Sequence, residues 1–107
     1  MAVEATTDTN IKDSINNHSG KLVIIDFWAE WCGPCKMLAP TLTALSEAYS
    51  DSVVIFKLNI DENSQAAQEY EITSIPCCIF FKEGKEVHRV VGFKTKDAFE
   101  QDIKSYT

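Results

Sequence analysis

An apolar run that leads into a Cys-x-x-Cys motif constrains the fold of this 107-residue chain more than any other feature. Residues 22–28 barely alternate between apolar and polar side chains, which is typical of a strand buried on both faces of a sheet. Cys32 and Cys35 follow shortly afterwards, and leucines then recur at helical spacing from Leu38 onward. This order predicts a strand, a tight turn and a helix whose first turn holds both cysteines.

The remaining segments predict an α/β domain with the element order βαβαβαββα. Strands joined through a helix are expected to run parallel, whereas the last two should form an antiparallel hairpin around Gly84. The result is a central mixed sheet of about five strands with about four helices on its two faces, in a single domain over 1–107. Pro40 should kink the second helix, and Asn63 and Thr95 should cap the two that follow. The predicted strands are 3–6, 22–28, 53–59, 77–81 and 86–91, and the predicted helices are 9–17, 34–49, 63–70 and 95–106.

Composition and charge exclude several classes of function. The formal net charge is -6 and no basic patch stands out, which argues against binding to nucleic acid or to an anionic membrane surface. No apolar run reaches transmembrane length, and residues 1–6 lack the features of a signal peptide. We therefore expect a cytoplasmic protein. In such a reducing compartment, four cysteines favour catalysis or metal binding over a structural disulfide framework.

The spacing of Cys32 and Cys35 predicts a dithiol that cycles with a disulfide. A thiol at a helix start lies near free backbone N–H groups and the positive end of the helix dipole, and both favour the reactive thiolate. Cys32, nearer the helix tip, is expected to be the more exposed thiol and to attack a partner's disulfide. Cys35 would then resolve the mixed disulfide. The alternative is a zinc half-site, for which Cys77 and Cys78 are badly spaced as a second pair.

Asp26 is a carboxylate within an otherwise apolar strand, so it should be buried. Burial raises the pKa of a carboxyl group, and we expect Asp26 to accept the proton of Cys35, directly or through a water molecule. The alternative is a structural carboxylate held by hydrogen bonds. Lys57, in the next apolar strand, is either the partner of Asp26 or a lysine whose amine reaches solvent.

Pro76 precedes the third long strand and is either cis or a plain strand-start proline. Extended backbone at Ile75 suits the addition of a partner peptide as a strand.

Cys77 and Cys78 should point to opposite faces of the sheet. They are either small buried residues or, if one lies near the redox pair, the site of a regulatory disulfide. Phe93 either packs inside or adds an apolar contact beside the groove.

Over nearly its whole length the chain resembles the thioredoxin family. The residues that carry the resemblance are Asp26 to Lys36 with the Trp-Cys-Gly-Pro-Cys motif, Pro40, Lys57 to Asp61, Ile75, Pro76, Gly84 and Gly92. Two cysteines follow Pro76 where the family usually has a threonine and then an aliphatic residue.

The resemblance implies a cytosolic protein-disulfide reductase with no bound cofactor, working as a monomer. Its electrons would come indirectly from NADPH through a thioredoxin reductase, and its substrates would be disulfide-containing client proteins. It also implies a cis Pro76 and the roles given above to Cys32, Cys35 and Asp26, with Lys57 nearby. The implied docking surface consists of Trp31, Gly33, Pro34, Ile60, Ile75, Pro76, Val91 and Gly92. Two alternatives remain open: a docking subunit with an incidental dithiol, and a metal protein that uses all four cysteines.

Overall fold

A five-stranded sheet with helices on both faces makes up the computed structural model, which describes residues 3–107. The predicted domain also includes residues 1 and 2, which lie outside the described range. The strands are β1 (Glu4–Ala5), β2 (Leu22–Trp28), β3 (Val53–Asn59), β4 (Cys77–Lys82) and β5 (Lys85–Val91). The helices are α1 (Ile11–Asn16), α2 (Gly33–Ala48), α3 (Ser64–Glu69) and α4 (Lys96–Tyr106). The predicted element order and the mixed α/β sheet are confirmed.

Strand β2 lies at the centre of the sheet, whose order is β1-β3-β2-β4-β5. Alternate side chains of β2 enter two separate cores, Leu22 and Ile24 on one face and Val23 and Ile25 on the other. All four of these side chains are at most 1 % exposed, which confirms that the run is buried on both faces. The position of β2 places the residues that follow it at the middle of one sheet edge.

The two faces are covered by different pairs of helices. Helices α2 and α4 cover the Leu22 face through an apolar cluster that includes Leu42 and Phe99. Helices α1 and α3 cover the opposite face, to which they contribute Ile11 and Ala66. The aromatic rings of Phe80 and Phe99 are stacked with their centroids 6.1 Å apart, which ties β4 to α4. Helix α2 is continuous through Pro40, and the kink there stays a prediction.

The direction of β4 differs from the expectation that strands joined by a helix run parallel. β4 is antiparallel to β2, with Cys77 opposite Phe27. Asn59, the last residue of β3, lies opposite Trp28, so β3 ends at the edge where β4 begins. The 6 residues of α3 span about 9 Å, whereas the 7 of β3 span about 23 Å. The helix alone therefore does not return the chain to the edge where β3 begins, and β4 starts at the edge where β3 ends.

Two of the predicted local details need correction. Asn63 stands at the start of α3 but its side chain does not cap the helix. Instead, the carboxylate of Asp8 accepts from the backbone N–H groups of Gln65 (3.3 Å) and Ala66 (2.7 Å). The hairpin turn consists of two residues, Glu83 and Gly84, both with positive φ, and Lys85 already belongs to β5.

The cap predicted at Thr95 is confirmed, because its hydroxyl accepts from the backbone N–H of Ala98 at 3.3 Å. The short edge strand predicted within 3–6 is also present as β1, which pairs parallel to β3.

Candidate active site

The start of α2 holds the two cysteines in a disulfide. Cys32 is the N-cap of α2, and its Sγ accepts from the backbone N–H of Cys35 at 3.2 Å. The Cα atoms of the two residues lie 5.3 Å apart. Pro34 occupies the first turn, where its missing N–H leaves no helical hydrogen bond unmade. A thiolate on Cys32 would therefore sit at a helix start with a donor already aimed at it.

The cysteines are sheltered, and the rim of the site is apolar. Cys32 is 5 % exposed and Cys35 3 %, so the expected difference in exposure is small in the disulfide form. Both pack in a cluster to which Ile60 and Ile75 contribute. Trp31, in contrast, is 69 % exposed, and its indole Nε1 donates to a carboxylate oxygen of Asp61 at 3.0 Å. That bond holds the ring at the surface beside the disulfide.

Asp26 is buried, as its place in β2 predicts. It is 5 % exposed, and burial raises its pKa from 3.8 to about 7. A hydrogen bond from Cys78 and the positive charge of Lys57 both lower the pKa, but by less than burial raises it. A carboxyl group with this pKa exchanges its proton at neutral pH. The thiol of Cys78 reaches Oδ1 at 3.7 Å. The cause of the shift is the one inferred from the sequence, whereas Cys78 as a partner was not foreseen.

Lys57 faces Asp26 across the β2–β3 ladder but makes no ion pair with it in residues 3–107. The residue is exposed, and its Nζ lies 5.7 Å from the centroid of the Trp28 ring. This arrangement matches the alternative in which the amine of Lys57 reaches solvent. The positive charge still acts on Asp26 and lowers its pKa.

The β4–β5 hairpin supplies the other wall of the site. The peptide bond between Ile75 and Pro76 is cis, as the resemblance implies. The carbonyl of Pro76 accepts from the backbone N–H of Gly92 at 2.7 Å, which joins the two ends of the hairpin. Val91 is 59 % exposed and Phe93 45 %, so the option that Phe93 is a core residue does not hold. The exposed part of this wall is therefore apolar.

Cys77 and Cys78 are free, buried and on opposite faces of the sheet, as strand alternation predicts. Burial is the main cause that raises the pKa of both thiols, and the pKa of Cys78 lies well above its ordinary value. Neither thiol is thus prepared to act as a nucleophile at neutral pH. In residues 3–107 no three or more His, Cys, Asp or Glu side chains form a group able to hold a metal ion. The four-cysteine metal site is therefore not formed there.

Two contacts at the site were not predicted from the sequence. The bond from Trp31 to Asp61 joins residues 30 positions apart, and the bond from Cys78 to Asp26 joins residues 52 positions apart. Both depend on how the strands align, which local sequence patterns do not encode. The only signal in the sequence for the second contact is the residue type at position 78, because a thiol there stands in a run of apolar residues and can donate a hydrogen bond.

Comparison with known proteins decides the family. The sequence model of the family described as Thioredoxin matches residues 2–105. The chain belongs to the thioredoxin family. A thioredoxin from Staphylococcus saprophyticus is 42 % identical over 106 residues, which cover 99 % of each sequence. A thioredoxin from Chlamydia caviae is 55 % identical over 86 residues, which cover 80 % of this chain and 83 % of that protein.

A solved structure carries the same fold. A mutant thioredoxin from Halobacterium salinarum superimposes with a TM-score of 0.87 at 33 % identity, covering 98 % of this chain and 89 % of that one. With the adjacent cysteine pair at the helix start, the family membership makes this protein a thiol-disulfide oxidoreductase. The thiol-disulfide oxidoreductase activity and the fold predicted from the sequence are thereby confirmed. None of the helices formed by residues 3–107 is long and apolar enough to cross a membrane.

Proposed function

We propose that this thioredoxin-family protein reduces disulfides in client proteins, with Cys32 as the attacking thiol and Cys35 as the resolving thiol. The observation that carries the proposal is the hydrogen bond from the backbone N–H of Cys35 to Sγ of Cys32 at the start of α2. A donor aimed at sulfur favours a negative charge there, and only the thiolate attacks a disulfide. The same geometry distinguishes the two thiols by position, because Cys35 lies one turn further into the helix.

Two exchange steps balance the reaction. The thiolate of Cys32 attacks one client sulfur, so that a mixed disulfide forms and the other client sulfur leaves as a thiolate. Asp26 accepts the proton of Cys35, whose thiolate then attacks Sγ of Cys32. The Cys32–Cys35 bond forms, the mixed disulfide breaks and the second client thiolate departs. The client gains two electrons and the cysteine pair loses two.

Asp26 suits the role of proton acceptor for two reasons. Its pKa of about 7 lets it hold or release a proton near neutral pH. It also lies on the face of β2 that α2 covers, two residues after Ile24 of the shared core. Cys35 lies three and seven residues before Leu38 and Leu42 of that core, so it is on the helix face directed to the sheet. Lys57 assists by adding positive charge near the carboxylate.

Clients are proposed to dock on the apolar rim around the cysteines. Ile60 and Ile75 contact the cysteine cluster, and the backbone at Ile75, which the following proline biases toward an extended form, would offer hydrogen bonds to a client strand. Trp31 and Val91 beside them are large, exposed apolar side chains, which are typical of interaction surfaces. The proposed docking residues are Trp31, Gly33, Pro34, Ile60, Ile75, Val91 and Gly92, which are exposed or half-buried, together with Pro76, which is buried.

The electrons are proposed to come from NADPH through a thioredoxin reductase, with no cofactor bound to this chain itself. We place the protein in the cytoplasm as a monomer of one domain, without nucleic-acid or membrane partners. Support for this comes from the family and from the acidic net charge of -6. Size-exclusion chromatography with light scattering tests the monomer, and a mass of two chains would contradict it.

A coupled assay tests the whole proposal, with NADPH, a thioredoxin reductase and insulin as the disulfide substrate. Wild type should oxidise NADPH, Cys32→Ser should abolish turnover, and Cys35→Ser should accumulate a mixed disulfide that mass spectrometry detects. Asp26→Asn should slow turnover at pH 7, whereas Asp51→Asn, at an exposed carboxylate, should not. Turnover by Asp26→Asn at the wild-type rate would remove Asp26 from its role. If only dithiothreitol supports insulin reduction, the reductase is the wrong electron donor.

A further inference from the structure

A row of three side chains crosses the sheet beneath α2. Lys57 of β3 and Cys78 of β4 each lie opposite Asp26 of β2 in the strand registers. Because residues opposite each other point to the same face, Cys78 and Asp26 meet on the side that α2 covers. The thiol of Cys78 donates to Oδ1 of Asp26 at 3.7 Å. Within residues 3–107 this is the one side-chain hydrogen bond that reaches the buried carboxylate.

Few other polar groups face Asp26. Strand β3 contributes the charge of Lys57, β4 contributes Cys78, and the first turn of α2 directs Cys35 toward the sheet. Apart from Cys35 and Ser46, the buried side chains of the covering helices are apolar. These apolar side chains are Leu38, Leu42 and Leu45 of α2 and Phe99 and Ile103 of α4. A single hydrogen bond therefore has a large effect on the charge state of the Asp26 carboxyl group.

We propose that Cys78 is a positioning residue, whose thiol holds the carboxylate of Asp26 and favours its charged form at neutral pH. In this way Cys78 sets the pH at which Asp26 becomes able to take the proton of Cys35. The inference rests on the proposed role of Asp26 as that proton acceptor. It assigns a task to a thiol that neither attacks nor resolves a disulfide.

The state of the Cys78 thiol supports this assignment. Cys78 is 1 % exposed, and burial together with the neighbouring Asp26 raises its pKa well above the ordinary value. The sulfur therefore keeps its proton at neutral pH and remains a donor. A hydrogen bond to the charged form of an acid lowers the pKa of that acid, which is the direction in which Cys78 acts on Asp26. Cys78 thus opposes the effect of burial.

Carboxyl-carbon NMR of Asp26 tests the proposal in the oxidised protein, without reference to activity. Cys78→Val and Cys78→Ala both remove the donor, and one enlarges the side chain while the other shrinks it. Both should raise the pKa of Asp26 by about one unit, as expected for a hydrogen bond to a charged group. Cys78→Ser keeps a donor and should stay close to wild type. Cys77→Val, on the opposite face of β4, should leave the titration unchanged.

Two results would overturn the proposal. One is an Asp26 titration that overlays wild type in both Cys78→Val and Cys78→Ala. The other is a shift in Cys78→Ser as large as in Cys78→Ala, because loss of the sulfur rather than of the donor would then be responsible. Since the valine and alanine variants change volume in opposite directions, a packing effect would move them apart rather than together.

The pH profile of insulin reduction separates the two proposals. If the pKa of Asp26 rises by one unit, Cys78→Val should be roughly fivefold slower than wild type at pH 7 and nearly equal to it at pH 9. An NMR shift with an unmoved activity profile would support the role of Cys78 and contradict Asp26 as the proton acceptor. An unmoved NMR titration contradicts the role of Cys78 whatever the activity does.

Discussion

Replacing Asp26 by asparagine should stabilise the protein, and by an amount that depends on pH. In the folded protein burial raises the pKa of this carboxyl group from 3.8 to about 7. In the unfolded chain it ionises near its ordinary value. Between these two pH values unfolding releases a proton, so the free energy of unfolding of wild type falls as the pH rises and levels off above pH 7. Asparagine carries no charge to bury and avoids this loss.

The magnitude follows from the difference between the two pKa values. That difference is about three units, each worth about 1.4 kcal/mol, so the loss reaches about 4 kcal/mol at pH 8. At pH 5 the loss is about 2 kcal/mol, because pH 5 lies only a little more than one pH unit above the pKa of the carboxyl group in the unfolded chain. The amide of asparagine keeps an oxygen that can accept from Cys78, so the remaining difference between the side chains is small.

Guanidinium unfolding of the oxidised protein at pH 5 and pH 8 measures this effect. The gain of Asp26→Asn over wild type should be about 2 kcal/mol larger at pH 8 than at pH 5. Asp51→Asn is the matched control, because it removes the same charge from an exposed turn. An equal gain at both pH values would refute the reasoning. It would mean that the carboxyl group of Asp26 titrates alike in the folded and unfolded chains.

Three further substitutions test other parts of the fold. Phe99→Ala should lower the free energy of unfolding by about 3 to 5 kcal/mol because the ring is fully buried; a loss below about 1 kcal/mol in guanidinium would contradict this packing. Asp8→Ala should cost about 1 kcal/mol and speed hydrogen exchange at the Ala66 amide, which the carboxylate caps; unchanged exchange would show that the cap is not formed in solution. Gly84→Ala should destabilise the protein by about 1 kcal/mol, since φ is +81° and an added Cβ would lie 2.5 Å from Oδ1 of Asn16. Thermal unfolding measures this loss of stability. Adding Asn16→Ala should recover only the part of the loss that comes from the contact with Asn16.

The elements predicted best from the sequence are those with the strongest patterns. The structure assigns β2 and β3 to the same residues as the apolar runs at 22–28 and 53–59. Long runs bounded by turn residues leave little choice of structure, because any other arrangement would expose them. The burial of Asp26 was also predicted, because β2 is covered on both faces; Lys57, between the buried Phe56 and Leu58 of β3, is nevertheless exposed, so a place inside an apolar run does not by itself decide burial.

What the sequence did not predict depends on contacts between distant segments. The direction of β4 depends on the path of the whole connection 60–76, of which α3 forms only six residues. The cap of α3 comes from Asp8, 58 positions before Ala66, although Asn63 stands at the expected place. The partner of Asp26 is likewise set by strand register. A local pattern identifies a buried carboxylate, but only the assembled sheet determines which group faces it.

The location of Cys78 separates two properties that an active site usually combines. The proposed docking surface includes exposed residues such as Trp31 and Val91. Asp26 and Cys78 are buried, and neither is among the proposed docking residues. A substitution at Cys78 can therefore move the working pH range of the protein and leave its choice of clients unaltered. Natural variation or protein engineering at this one buried position can adapt the enzyme to a more acidic or more alkaline environment without redesign of its surface.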